Sequence, residues 1–260
     1  MKLSLPKKKS WSSFQYIIIG FLLVIFVGSI LLMLPISSKS GEVTPFLNAL
    51  FTATSATCVT GLVVIPTVSS WSVFGQVVIL LLIQIGGLGV ITIMSGIMIL
   101  FHKKMGLGDR LLLQDAFNLN SLSGLVRFVK RVVGATFLVE GLGALLYMLV
   151  FVPEFGLKGI WISVFTAVSA FCNAGIDIIA ENSLCDYALN PLINFVTCAL
   201  IILGGIGLAI LSPYLTSLLG NVFNLLGKGL SKVFDWIIAL IALPFKLIGK
   251  LFDKIFHKKE

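Results

Sequence analysis

Apolar residues gather into four stretches long enough to cross a bilayer, which takes ~20 mostly apolar residues. They are Tyr16–Leu34, Phe74–Leu100, Val132–Val152 and Pro191–Leu211, and Glu140 interrupts the third. Two shorter runs carry a different pattern. FTATSATCVTGLVV, Phe51 to Val64, lies between the first and second stretches, and FTAVSAFCNAGIDI, Phe165 to Ile178, lies between the third and fourth. No charge occurs anywhere in 43–101, a run of 59 positions that is too long for one crossing and too polar at its centre. This pattern predicts a short half-membrane helix, Pro45–Ala56, then a re-entrant strand, then the second full span. Gly159–Ala170 stands in the same place ahead of the second polar run and predicts a second short helix.

The two halves repeat. Phe51-Thr52-Ala53, Ser55-Ala56, Cys58 and Gly61 recur as Phe165-Thr166-Ala167, Ser169-Ala170, Cys172 and Gly175 at a constant offset of 114. Gly86-Gly87-Leu88-Gly89 recurs as Gly204-Gly205-Ile206-Gly207 at an offset of 118. The repeated unit is therefore span, short helix, polar run, and span with a Gly-Gly-x-Gly break. This divides the chain into a basic start, 1–15, a first repeat, 16–101, a linker, 102–131, a second repeat, 132–211, and a tail, 212–260.

Composition agrees with a membrane chain. Of 260 residues 58% are hydrophobic and 12% charged, with a mean hydropathy of +1.08, against about 45–50% and about 25% in soluble domains. The first apolar run has 19 residues, more than a secretory leader's core, and no small-residue cleavage site follows it. The net charge is +8, and 17 of the 19 Lys and Arg fall in the basic start, the linker and the tail. That asymmetry puts those three segments, and so both termini, in the cytoplasm of a multi-pass cell-membrane protein. It also explains the charge without nucleic acid, leaving membrane lipid as the partner of the basic surface.

Catalytic and metal chemistry find little support. Cys58, Cys172, Cys185 and Cys198 show no metal or disulfide spacing. His102 and His257 stand apart from them, and no nucleophile–base pair or paired carboxylates occur at usable spacing, so the reading is not an enzyme and needs no tightly bound cofactor. Glu140 is an ionisable group inside a span, a functional candidate by default, with a neutral state or pairing to a cytoplasmic-side Arg or Lys as the plainer readings. Asp177, just after Gly175, suits a cation-attracting acid at an outer mouth or an ordinary solvated loop. Gly86, Gly87, Gly204 and Gly205 either let helices approach closely or act as hinges.

The polar runs themselves suggest ion chemistry. Thr57-Cys58-Val59-Thr60-Gly61-Leu62 is a poor helix and a good extended strand, which aims carbonyls sideways with no partner inside the strand. A dehydrated cation could accept them, since rings of backbone carbonyls replace a hydration shell in potassium filters. Glycine tolerates the angles needed to turn successive carbonyls to one axis.

These residues, with Cys172-Asn173-Ala174-Gly175-Ile176 and the two Gly-Gly-x-Gly spans, make residues 10 to 211 resemble the Trk/Ktr/HKT superfamily of potassium transporters. The resemblance implies an all-α integral membrane protein built of two outer helix–pore helix–filter–inner helix repeats, two of the family's four. It implies potassium, or sodium with it, as the transported ion, bound at the carbonyls of Val59, Thr60, Asn173 and Ala174. It also implies a cytoplasmic nucleotide-binding regulatory ring as a partner. The family's third-repeat gating loop and the positively charged residue of its last inner helix have no counterpart here. Two filters cannot enclose an ion, so the expected working unit is a homodimer. The alternative is a non-conducting truncated or engineered scaffold anchored by its tail. Past Ser212 the resemblance fades. There Lys246, Lys250, Lys254 and Lys258 oppose Phe245, Ile248, Phe252 and Ile255, as in a basic amphipathic helix lying on a membrane surface.

Overall fold

The computed structural model describes residues 13–89, 92–93 and 125–206. The basic start, most of the linker, the far ends of the second and fourth expected spans and the amphipathic tail lie outside the described residues. Those described are helical, with no strand among them beyond a single bridge between Ser38 and Trp71.

Seven α-helices, with 3-10 turns at Pro35–Ser37 and Cys185–Tyr187, make up most of the described residues. α1 is Ser13–Met33, α2 Phe46–Thr57, α3 Thr67–Ser70, α4 Val73–Leu88, α5 Leu125–Phe155, α6 Leu157–Phe171 and α7 Pro191–Ile206. Stretches Gln15–Met33 and Val126–Phe155 are long and apolar enough to cross a membrane. Local chemistry sets several boundaries. Ser72 caps α4, its side chain accepting from the Gly75 N–H at 3.2 Å. Asn190 caps α7 through the N–H groups of Leu192 and Ile193, with Pro191 as the first helical residue. Gly156, at φ 60°, turns the chain from α5 into α6.

Three boundaries differ from the hydropathy reading. The first short helix runs Phe46–Thr57, one residue further along than Pro45–Ala56, and the second runs Leu157–Phe171, longer at both ends than Gly159–Ala170. α5 starts at Leu125, before the expected Val132, because Arg127, Lys130 and Arg131 are good helix formers that hydropathy discounts. α4 ends at Leu88, where Gly89 takes φ 82°, so the expected Phe74–Leu100 span is interrupted.

α1, α2 and α4 pack together, as do α5, α6 and α7, and α4 against α6 joins the two groups. The second group buries a stacked pair, Tyr147 and Phe151, with ring centroids 5.7 Å apart, and Tyr187 meets Phe151 edge-on. Tyr147 Oη also shares a hydrogen bond of 2.7 Å with Thr197 Oγ1 on α7. Outside these cores, Leu22, Leu23, Phe26, Leu145 and Leu149 are left exposed on α1 and α5, an outer surface suited to lipid.

Glycine sets how closely the helices meet. A Cβ on Gly86 would lie 2.1 Å from the Thr57 carbonyl oxygen, and one on Gly204 only 1.7 Å from that of Phe171. Both neighbours are backbone and cannot swing aside. Gly204→Ala is therefore expected to destabilise the detergent-solubilised chain by about 1–3 kcal/mol. Gly134→Ala, on α5 with nothing within 4 Å of the new methyl, is expected to be neutral or to stabilise by up to about 1 kcal/mol. Denaturant titration followed by circular dichroism measures both.

Candidate functional site

The last turn of α2 uses up the donors of the residues that follow it. The N–H of Cys58 bonds the Thr54 carbonyl at 2.8 Å, that of Val59 the Ala56 carbonyl at 3.3 Å, and that of Thr60 the Ser55 carbonyl at 3.0 Å. The same three bonds occur after α6. Cys172 bonds Val168 at 2.9 Å, Asn173 bonds Ala170 at 3.1 Å, and Ala174 bonds Ser169 at 2.8 Å. Ser55 Oγ then donates to the Leu62 carbonyl at 2.7 Å, and Ser169 Oγ to that of Ile176. In the first bend Thr60 Oγ1 also reaches Ser55 Oγ at 3.0 Å. Each serine thus closes a bend of seven residues against its own helix.

Neither bend is the extended strand that its β-branched residues suggest. Val59 and Gly61 have φ of 55° and 76°, and Asn173 and Gly175 have 59° and 67°, with Thr60 and Ala174 between them outside the left-handed region. A left-handed residue next to an ordinary one turns neighbouring peptide planes the same way. The N–H groups then face the helix end, and the carbonyls are left on the other side. Among the described residues nothing donates to the carbonyls of Val59, Thr60, Asn173 or Ala174.

The expected site residues come together unevenly. Thr57 closes α2 and is buried, its carbonyl against Gly86. Cys58 is exposed and Cys172 buried, and all four cysteines are free thiols. A side chain on Gly61 would meet the Ala174 carbonyl oxygen at 2.7 Å, so the two bends lie against each other. A Cβ on Gly87 would lie 2.4 Å from Cys172 Sγ, whereas one on Gly205 meets nothing nearer than Asn173 Nδ2 at 3.7 Å. Gly86 and Gly87 stand in the last turn of α4, just ahead of its end at Leu88, and Gly204 and Gly205 in the last described turn of α7.

Two acids find partners that the sequence did not indicate. Asp177 is tied into its own loop, accepting from the Ile179 N–H at 3.1 Å and from Ser183 Oγ. It borders a cavity of about 220 Å³ lined also by Thr166, Asn173, Gly175, Ser183 and Thr197. Glu140 accepts from Gln84 Nε2, not from an Arg or Lys, with distances of 3.0 and 3.3 Å to its two oxygens. Sequence reasoning passed over Gln84, although a lone amide in an apolar span was a signal in its own right. It missed Gln76 as well, whose Oε1 accepts from Trp161 Nε1 at 2.8 Å across the α4–α6 joint. In the loop before α7, Tyr187 donates to Glu154 at 2.7 Å, and burial, then that bond, push its phenol above the ordinary range.

The sequence is similar to those of known proteins. The TrkH family, described as cation transport proteins, matches residues 5–229. The potassium/sodium uptake protein NtpJ of Enterococcus hirae is 43% identical over 201 residues, covering 77% of this chain and 44% of that protein. The Ktr system potassium uptake protein B of Bacillus subtilis is 42% identical over 215 residues, covering 81% and 48%. Its counterpart of the same name in Vibrio alginolyticus is 33% identical over 198 residues, covering 76% and 43%. The chain belongs to the TrkH family of cation transport proteins, and with it to the Trk/Ktr group of membrane subunits. It spans about half the length of these curated relatives, which are named as ion uptake proteins and not as enzymes.

Val59 is the strained point of the site, since a β-branched residue with positive φ is rare and costs of order 1–3 kcal/mol. The equivalent position 114 residues on is Asn173, a residue type that tolerates this conformation. Val59→Asn is expected to raise the thermal stability of the purified chain by about 1 kcal/mol. An unchanged or lower melting temperature would count against strain at this residue.

Proposed function

We propose that the chain conducts potassium, or potassium and sodium, across the cell membrane through a filter built from the Val59–Gly61 and Asn173–Gly175 bends. In this reading α1, α2 and α4 form one outer helix–pore helix–filter–inner helix repeat, and α5, α6 and α7 form the second. The observation that carries it is the one-sided use of the backbone: N–H groups turned back onto the helix ends, carbonyls of Val59, Thr60, Asn173 and Ala174 left free. Free carbonyls at membrane depth need a partner, and a dehydrated cation is one. Relatives named for potassium and sodium uptake support the choice of ion.

Two bends supply only part of a coordination ring, so the working unit is a homodimer with four bends around one two-fold axis. The joint within the chain supports this. Gly87 seats Cys172, and Gln76 meets Trp161. The counterparts at the repeat offsets are Gly205 with Cys58 and Asn194 with Leu47; a Cβ on Gly205 would meet only Asn173 within 4 Å, and Cys58 and Leu47 stand exposed. A second copy carries the complement of each. Both termini are cytoplasmic by the distribution of Lys and Arg. A nucleotide-binding regulatory ring as partner rests on the family resemblance alone.

Flux into vesicles holding only this chain is the direct test, with uptake of potassium over sodium expected. Gly61→Ser forces a side chain against the Ala174 carbonyl, disturbs the bend that would space the carbonyls, and is expected to lower the potassium-to-sodium ratio severalfold. Absence of flux from a folded chain would favour the non-conducting scaffold. For the dimer, Gly205→Cys in a chain with Cys185 and Cys198 changed to Ser should cross-link to Cys58 on mild oxidation and double the mass. A chain that stays monomeric under oxidation would argue that a different polypeptide fills this face.

A further inference from the structure

Glu140 stands at the meeting point of three elements and is not part of either bend. It lies on α5, takes both amide contacts from Gln84 on α4, and receives the Sγ–H of Cys172 on Oε1 at 4.0 Å. All three groups are buried. Both neighbours donate to its carboxyl oxygens. Cys172 also packs against Gly87, one turn along α4 from Gln84, where no side chain fits. Cys172 thus has both a polar and a packing contact, and the next two residues are Asn173 and Ala174, whose carbonyls accept from no described donor.

The first bend has no such support. Packing fixes the correspondence between the halves. Gly28 seats Leu82 as Gly143 seats Leu200, and the buried Leu32 and Ile79 stand where Tyr147 and Thr197 bond. That register puts Ile25 opposite Glu140, Ile202 opposite Gln84 and Cys58 opposite Cys172. The cysteine recurs, and the acid and amide do not.

We infer that Glu140 is a specificity-determining positioning residue, which acts through Cys172 and is oriented by Gln84 to hold the second bend at the spacing that selects among cations. This rests on the transport reading above. Rigid support from behind is what keeps coordinating groups at a defined distance from an ion, and loss of such supporting partners typically costs 10–100-fold in metal affinity. Because only the second bend has the clamp, a pore of four bends would carry two clamped and two unclamped walls.

The test uses the full chain, with its cysteines intact in vesicles for flux, and in detergent with Cys58, Cys185 and Cys198 changed to Ser for labelling, so that Cys172 is there the one thiol. Glu140→Gln and Gln84→Leu are each expected to lower the potassium-to-sodium flux ratio by roughly tenfold while total flux persists. The exchanged pair, Glu140→Gln with Gln84→Glu, is expected to restore much of it, which a merely structural loss would not allow. Independently of conduction, maleimide labelling of Cys172 should speed up severalfold in Glu140→Gln and in Gln84→Leu. A flux ratio unchanged in a conducting variant, or a labelling rate unchanged in both, overturns the inference. If the unsubstituted chain carries no ion, the transport reading fails, and the labelling rate alone decides whether the clamp exists.

Discussion

Two helices reach the backbone of their neighbours because they carry no side chain there. Gly86 lies against the Thr57 carbonyl and Gly204 against that of Phe171, and the arrangement of both halves depends on these contacts. They set α4 and α7 directly beneath the ends of α2 and α6. From that placement follow the seat for Cys172 on Gly87 and the reach of Gln84 to Glu140. Any methyl at Gly86 or Gly204 would lift a helix away from the bend it supports.

The bends show how a chain in lipid can carry non-helical backbone. Their donors are absorbed by the preceding helix, and a serine in that helix closes the far end. What remains is a short row of carbonyls. Leaving these unpaired in hydrocarbon would cost several kcal/mol each, so the architecture is stable only where water, an ion or another chain meets them. The chemistry of the site and the stability of the fold are in that sense one requirement.

Much of this could be read from the residues, and what could not has physical causes. Helix positions followed from apolar runs, the first short helix from the uncharged stretch 43–101 with its polar centre, and the second from its matching place in the repeat. The bends were placed correctly but given the wrong conformation, because Val59 and Thr60 favour strands, and nothing local announces that Val59 is left-handed. The halt at Leu88 falls in the Gly-Gly-x-Gly break that the repeat marked, although hydropathy, which does not see that Gly89 adopts φ 82°, carries the span on to Leu100. Glu140 was visible as an anomaly. Its partner was not, because Gln84 is 56 residues away and uncharged, and a search for countercharge passes over an amide.

That separation has a consequence for how the chain is made. Helices of the first half pack on one another, and those of the second half do likewise, with α4 against α6 as the joint. The first half can therefore settle in the membrane while the second is still on the ribosome. At 5–20 residues per second, the 56 residues from Gln84 to Glu140 correspond to about 3 to 11 seconds of synthesis. Throughout that interval a polar amide waits in an apolar span without the carboxylate that will bind it. The insertion machinery, or water drawn in beside α4, must tolerate Gln84 until the second half arrives to close over it.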